Sequence, residues 1–299
     1  MFKKEDIKIG VAPIAWTNDD LPELGGETPF ETCISEMAEA GYEGCEVGNK
    51  YPKDPKVLKE VLAEKGLQVC NAWLSTFFTE GKIQETIDDF IKHRDFLYEL
   101  GAKVIGVCEQ GKSIQGLDKK LFKDKPYFTE QEWSWLFEGM NKIAELAEEK
   151  GMKVCFHEHN GTGVQTNEET IKLMENTNDN VYLLLDTGHV FYSEGTQEAL
   201  EFLTKKYAKR IVHVHLKDVD MKVRQEVIDN ELSFLDGVKK NMFVVPGKGS
   251  IDFEPIFKIL SEAGYKGWFL VEAEGDPSIN NPLENAKFAR QFIKEKIGL

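Results

Sequence analysis

A closed (β/α)8 barrel is the fold class that the sequence predicts, and three observations predict it. Short apolar runs alternate with longer amphipathic segments eight times along the 299 residues. No linker or composition break divides the series, so the whole chain, 1–299, is expected to be one barrel domain. A doubly wound open sheet would carry a glycine-rich phosphate loop after its first strand, and that position reads APIAWTNDD instead.

The first unit pairs residues 7–16, IKIGVAPIAW, with residues 29–42, where apolar positions recur at helical spacing until Gly41 stops them. The second pairs 44–49 with a helix over 54–66, the third 67–76 with 83–100, and the fourth 103–110 with the long helix 129–151. The fifth strand, KVCFHEHN at 153–160, leads into 168–176, and the sixth, VYLLLDTGH at 181–189, into 196–210. After the seventh, IVHVHLKD at 211–218, a polar insertion of roughly 220–250 precedes helix 254–264. The eighth, GWFLVEAE at 267–274, meets a final helix over 282–297. Val227, Ile228, Leu232, Phe234 and Leu235 give the insertion apolar residues that can cap the barrel mouth or build a subunit contact, so a homo-oligomer stays open. The PGKGS stretch at 246–250 lacks phosphate-loop spacing and reads as a turn.

Composition narrows the function classes. Lys and Arg number 37 against 52 Asp and Glu, a net charge of −15 that repels phosphate backbones and anionic membranes. Neither a nucleic-acid nor a membrane partner is expected. Five cysteines, Cys33, Cys45, Cys70, Cys108 and Cys155, show no paired spacing, and four of them lie in apolar β-like runs. They read as structural thiols in a reducing compartment. With no apolar run of signal-peptide or membrane-spanning length, a cytoplasmic location is the expectation.

Such barrels carry their chemistry at the C-terminal ends of the strands. There the sequence places Glu46, Asn49 and Lys50 after strand two, Trp73 on strand three, and Glu109 and Gln110 after strand four. His157, Glu158, His159 and Asn160 end strand five, Asp186 and His189 strand six, His213, His215, Lys217 and Asp218 strand seven, and Glu272 and Glu274 strand eight. Five of the six histidines thus fall on three neighbouring strand ends. Imidazole mixed with carboxylate suits Zn²⁺, Mn²⁺, Co²⁺ or Fe²⁺, whereas Mg²⁺ or Ca²⁺ favours oxygen alone. Alternation on a strand turns His157 and His159 the same way, and likewise His213 and His215, so the member at the mouth reaches a central ion.

The segments DTGH, HVHLKD and GWFLVE resemble the xylose isomerase-like TIM barrels of sugar-phosphate isomerases and epimerases over the whole chain. That resemblance implies a divalent ion held by groups after strands five to eight, here His157, Asp186, His215 and Glu272, with His189 contacting substrate. Ketose epimerases have glutamate where this chain has His157; His159, or Glu158 if the register slips by one, are the alternatives at that strand. The stretches APIAWTNDDLPELGG, CEVGNKYP and GTGVQT resemble the inosose dehydratase family. This implies elimination of water from 2-keto-myo-inositol, a neutral polyol ketone, with cobalt or manganese and with glutathione as cofactors.

The residues fit that chemistry. Water loss beside a ketone needs an α-proton removed, an enolate stabilised and a leaving hydroxide protonated. Glu272 is the candidate base, and His189 or Lys217 the donor to the leaving group. Glu46 and Lys50 are assigned to substrate hydroxyls, Trp16 and Trp73 to the C–H face of the ring, and His159, Asn160 and Thr162 to orienting or touching substrate. An isomerase or epimerase on the same metal is the alternative. A DNA-repair phosphodiesterase would need further ligands and a basic groove, and a carbohydrate-binding protein would need no ion.

Overall fold

The structure, a computed structural model, describes residues 2–299. Its strands are β1 (Ile7–Val11), β2 (Gly44–Glu46), β3 (Gln68–Asn71), β4 (Leu74–Thr76), β5 (Val104–Glu109), β6 (Lys153–His157), β7 (Val181–Asp186), β8 (Ile211–Leu216), β9 (Asp218–Val219), β10 (Phe243–Val244) and β11 (Gly267–Val271). Its helices are α1 (Phe30–Glu39), α2 (Pro55–Glu64), α3 (Ile83–Leu100), α4 (Glu130–Glu148), α5 (Asn167–Glu175), α6 (Thr187–Glu194), α7 (Gln197–Tyr207), α8 (Met221–Asp229), α9 (Phe234–Lys239), α10 (Phe253–Glu262) and α11 (Pro282–Ile297). The main sheet runs β3-β2-β1-β11-β8-β7-β6-β5-β4, and each of its paired ladders is parallel. Because β3 and β4 are successive pieces of one chain path, the two ends of that order meet on the same stave. The result is a barrel of eight staves, the closed (β/α)8 class that the sequence predicts.

The third predicted strand, 67–76, is broken at Ala72 and Trp73, because its first half pairs with β2 and its second with β5. Side chains close the gap: the Gly106 amide donates to Asn71 Oδ1 at 2.8 Å, and His93 Nε2 bonds the Ala72 carbonyl at 3.1 Å. The sixth predicted strand ends earlier than its apolar run implies. β7 stops at Asp186, whose Oδ1 accepts the His189 amide at 2.8 Å and so caps α6, a helix absent from the sequence reading. Leu183 and Leu185 pack in the main core between sheet and helices, whereas Leu184 joins Val104, Cys155 and Val212 on the inner face. Asp186, two residues beyond Leu184, therefore points into the barrel.

The polar insertion folds into α8, α9 and the antiparallel pair β9–β10. It buries Val227, Phe234, Val238, Met242 and Phe243, and the Phe243 ring lies 4.8 Å from that of His189, so the insertion caps this side of the mouth. The PGKGS stretch is a turn whose amide cradle is filled from within. Asp218 accepts from Gly247, Gly249 and Ile251 amides at 2.9–3.0 Å. No helix among the described residues is long and apolar enough to cross a membrane.

Candidate active site

Four strand ends converge. His157 closes β6, Asp186 closes β7, His215 is the penultimate residue of β8, and Glu272 follows β11. Asp186 Oδ2 lies 3.7 Å from His157 Nε2 and 3.4 Å from His215 Nδ1, and Glu272 Oε2 lies 3.0 Å from that same Nδ1. Atoms about 2.1 Å from one tetrahedral ion stand roughly 3.4 Å apart, so these separations match a ligand shell. Asp186 Oδ2 and His215 Nδ1 are buried yet have no hydrogen-bond partner, which is the condition of donors directed at a cation. His157 Nδ1 bonds the Glu158 carbonyl, leaving Nε2 as the free acceptor facing Asp186. The residues present therefore fit a divalent metal.

Among the three strand-five alternatives, His157 joins the metal-capable group with Asp186 and His215, while Glu158 and His159 do not. Burial raises the Glu158 carboxyl well above its usual range, and it stands outside that group with neither oxygen hydrogen-bonded. His159 instead lines the adjoining cavity. Burial pushes the imidazoles of His157 and His159 down to about 4 and about 3, so both rings are neutral.

Lys217 brings positive charge to this centre, and at His215 burial is outweighed by Glu46 and Glu272, which raise the imidazole well above its usual value. The buried Lys217 Nζ lies 2.6 Å from Glu272 Oε1, 2.8 Å from Glu274 Oε1, 3.6 Å from Asp186 Oδ2 and 3.1 Å from His189 Nε2. Burial alone would raise Glu272, but Lys217 and His215 outweigh it and hold that carboxyl at about 2. Glu274 goes the other way, lifted by burial to about 7. Gly188 makes room for this lysine, since a Cβ there would meet the Lys217 stem at 2.6 Å.

Above the four groups opens a cavity of about 350 Å³, whose lining includes Asp20, Glu46, Trp73, Gln115, His157, His159, His215, Glu272 and Glu274. The structure brings Trp73 there, edge-on to His157 and His159 with ring centres 5.6 and 5.5 Å away. Several other sequence-predicted residues are not at the cavity. Lys50 is held by the Gly26 and Thr28 carbonyls at 2.5 and 2.8 Å, pinning the loop after β1 rather than meeting substrate. Trp16 is buried, donates to Glu36 at 2.6 Å and lines a separate small cavity. Asn160 accepts from His189 Nδ1 at 3.0 Å, and the Thr162 hydroxyl bonds the His159 carbonyl at 2.9 Å, so both shape the loop behind the site. His189 and Lys217 lie beneath the wall, not on it, because Glu272 and Glu274 stand between Lys217 and the cavity. Glu46 does line it, but its Oε1 is already engaged by Asn71 and His215.

Sequence reasoning missed Asp20 and Gln115. Gln115 Nε2 donates to Asp20 Oδ2 at 2.7 Å, joining the loops after β1 and β5 across the mouth. Asn18 Oδ1 receives the Asp20 and Leu21 amides at 2.9 and 3.0 Å, a turn for which the Asn-Asp-Asp run was the available signal.

Residues 34–296 match the family model described as a xylose isomerase-like TIM barrel. The chain is 59% identical over 298 residues to inosose dehydratase of Glaesserella parasuis serovar 5 and 60% identical to that of Histophilus somni, with 100% of each chain covered. Among solved structures it is similar in fold to the IOLI protein with a bound zinc atom, at TM-score 0.71 and 18% identity over 98% of this chain and 100% of that one.

Proposed function

The chain belongs to the inosose dehydratase family of xylose isomerase-like TIM barrels, and from that premise we propose how its own residues carry the reaction. The activity is that of a hydro-lyase. 2-Keto-myo-inositol gives up an α-proton and a β-hydroxyl as water, and the resulting enol tautomerises to a trihydroxycyclohexane-1,2-dione.

One observation carries the assignment of roles: His157, His215 and Glu272 meet on the floor of a cavity with no lysine or arginine in its lining, and Asp186 is buried against the two histidines. Asp19, Asp20, Glu46, Glu272 and Glu274 make that wall acidic, which favours a neutral, hydroxyl-rich ligand over a phosphorylated one. His157, Asp186, His215 and Glu272 would hold the ion, which when bound polarises the ketone and stabilises enolate charge. Mixed nitrogen and oxygen donors suit cobalt or manganese as they suit zinc or iron, and the choice of cobalt or manganese rests on the family resemblance. Glutathione as a further cofactor rests on the family resemblance, and turnover with and without it in excess Mn²⁺ tests it.

Glu272, ionised by its contact with Lys217, takes the α-proton. The departing hydroxide receives its proton from the Glu274–Lys217 pair, with Glu274 on the cavity wall and Lys217 behind it at 2.8 Å. Lys217 thus acts through Glu274, and His189, bonded to Lys217 and Asn160, holds the lysine in place. Trp73 offers the ring its apolar face.

The test is turnover of 2-keto-myo-inositol, followed by ultraviolet absorbance of the conjugated product, before and after chelation and with Mn²⁺ or Co²⁺ restored. Loss on chelation and recovery on restoration are expected; α-proton exchange with no absorbing product would instead make the chain an epimerase. Glu272→Gln should stop α-proton exchange, whereas Glu274→Gln should leave exchange and slow water loss by about 10²-fold or more. Equal loss of both steps in the two variants would remove the division of labour.

A further inference from the structure

We infer that Glu46 is a positioning residue that fixes His215 as an Nδ1 ligand, through a line of hydrogen bonds that starts at the barrel seam. This rests on the reading of His215 as a metal ligand. A neutral imidazole has one N–H and one lone pair, and His215 presents a nitrogen to each of two acidic surroundings. Nε2 stands 3.0 Å from Glu46 Oε1, while Nδ1 faces Glu272 Oε2 at 3.0 Å and Asp186 Oδ2 at 3.4 Å. When Nε2–H donates to Glu46, the bare lone pair of Nδ1 lies on the side where His157 and Asp186 converge. The opposite tautomer would set a lone pair against the Glu46 carboxylate and an N–H among the ligands. Glu46 therefore selects the tautomer and, as an anionic acceptor, raises the basicity of the ligating nitrogen.

Glu46 is itself held. Asn71 Nδ2 donates to the same Oε1 at 2.8 Å, and Asn71 Oδ1 accepts the Gly106 amide at 2.8 Å. Gly106 permits this approach, since a Cβ there would stand 2.6 Å from Asn71 Nδ2. The line Gly106–Asn71–Glu46–His215 thus links β5, β3, β2 and β8, and it crosses the barrel where the third stave is broken. His213 lies beneath, with Nε2 at 3.5 Å from Glu46 Oε1. Glu46, His213 and His215 could together be read as a second cation site. Two N–H groups already occupy the lone pairs of Oε1, the oxygen nearest both rings, so toward His213 and His215 this carboxylate serves as a hydrogen-bond acceptor.

The experiment uses the full chain stripped of metal, with Mn²⁺ alone as probe and no substrate. Binding of one ion per chain is expected. Glu46→Gln should weaken Mn²⁺ about ten- to a hundredfold, Glu46→Asp should recover part of that loss, and the metal-free Tm should stay close to the parent value. In the Zn²⁺-loaded parent, ring-¹⁵N spectra should show His215 protonated at Nε2, with that proton exchanging faster in Glu46→Gln. An Nδ1–H signal in the parent overturns the inference, whatever the variants do. So does unchanged Mn²⁺ affinity in Glu46→Gln. Two ions per chain, the second lost in His213→Gln, would also overturn it. A parent chain that binds no divalent ion fails the ligand reading itself, and is distinguished by needing no substitution.

Discussion

The two halves of the barrel put different chemistry on the same repeating unit. From β6 to β11 the decisive side chains sit at the strand ends or one residue past them, and His157, Asp186, His215 and Glu272 converge with successive ligand atoms 3.0–3.7 Å apart. From β1 to β5 the groups that reach the cavity are mostly carried by loops: Asp20 beyond β1, Trp73 in the break of the third stave, Gln115 beyond β5. A ladder of backbone hydrogen bonds fixes the first set to the precision that ligand geometry demands. Loop turns such as the one at Asn18 fix the second, which suits recognition of hydroxyls. The halves divide into a reacting floor and a fitting wall.

Substitution in each half tests that division, and the floor should show the larger effect. Asp186→Asn keeps an oxygen to cap α6 through the His189 amide, so the fold should survive. It removes the anionic Oδ2, and metal content should fall with kcat lowered about a thousandfold or more, the equivalent of about 4 kcal/mol. Retained metal with near-parent kcat would show that the floor is not where the reaction occurs. Asp20→Asn, on the wall, preserves the Gln115 contact and loses a charged acceptor. KM should rise about tenfold, near 1.5 kcal/mol, with kcat little changed. A fall in kcat at constant KM would put Asp20 in the chemistry and erase the contrast.

The same division explains what could be read from the sequence. Strand periodicity carries the floor: alternation turns Asp186 inward behind Leu184, and clustered histidines on β6 and β8 mark the mouth. Loop contacts have no period. Nothing near Lys50 in the sequence announces that its ammonium will be taken by carbonyls at Gly26 and Thr28, nor Trp16 that its indole will meet Glu36. The distinction between Lys217 and Glu274 is likewise tertiary, since both follow strands and only packing decides which faces the cavity. The broken third stave stayed hidden because LQVCNAWLST remains β-like throughout, and the break arises from a change of partner, β2 for β5.

That seam gives the smallest effect, and one that depends on pH. His93 on α3 bonds the Ala72 carbonyl where the ladder is interrupted, and burial lowers its pKa below the usual 6.5, although the Ala72 carbonyl pulls it back up. With the folded value depressed, the unfolded chain takes up the proton first, so stability is fully present above pH 6.5 and declines as pH falls below it. His93→Gln retains a donor for Ala72 without a titrating ring. Thermal unfolding of the metal-free chain at pH 7 and pH 5 should show a smaller loss of Tm on acidification in the variant than in the parent. Equal losses would move the acid sensitivity from the seam in the fitting half to the histidines of the floor, where bound Mn²⁺ should then suppress it.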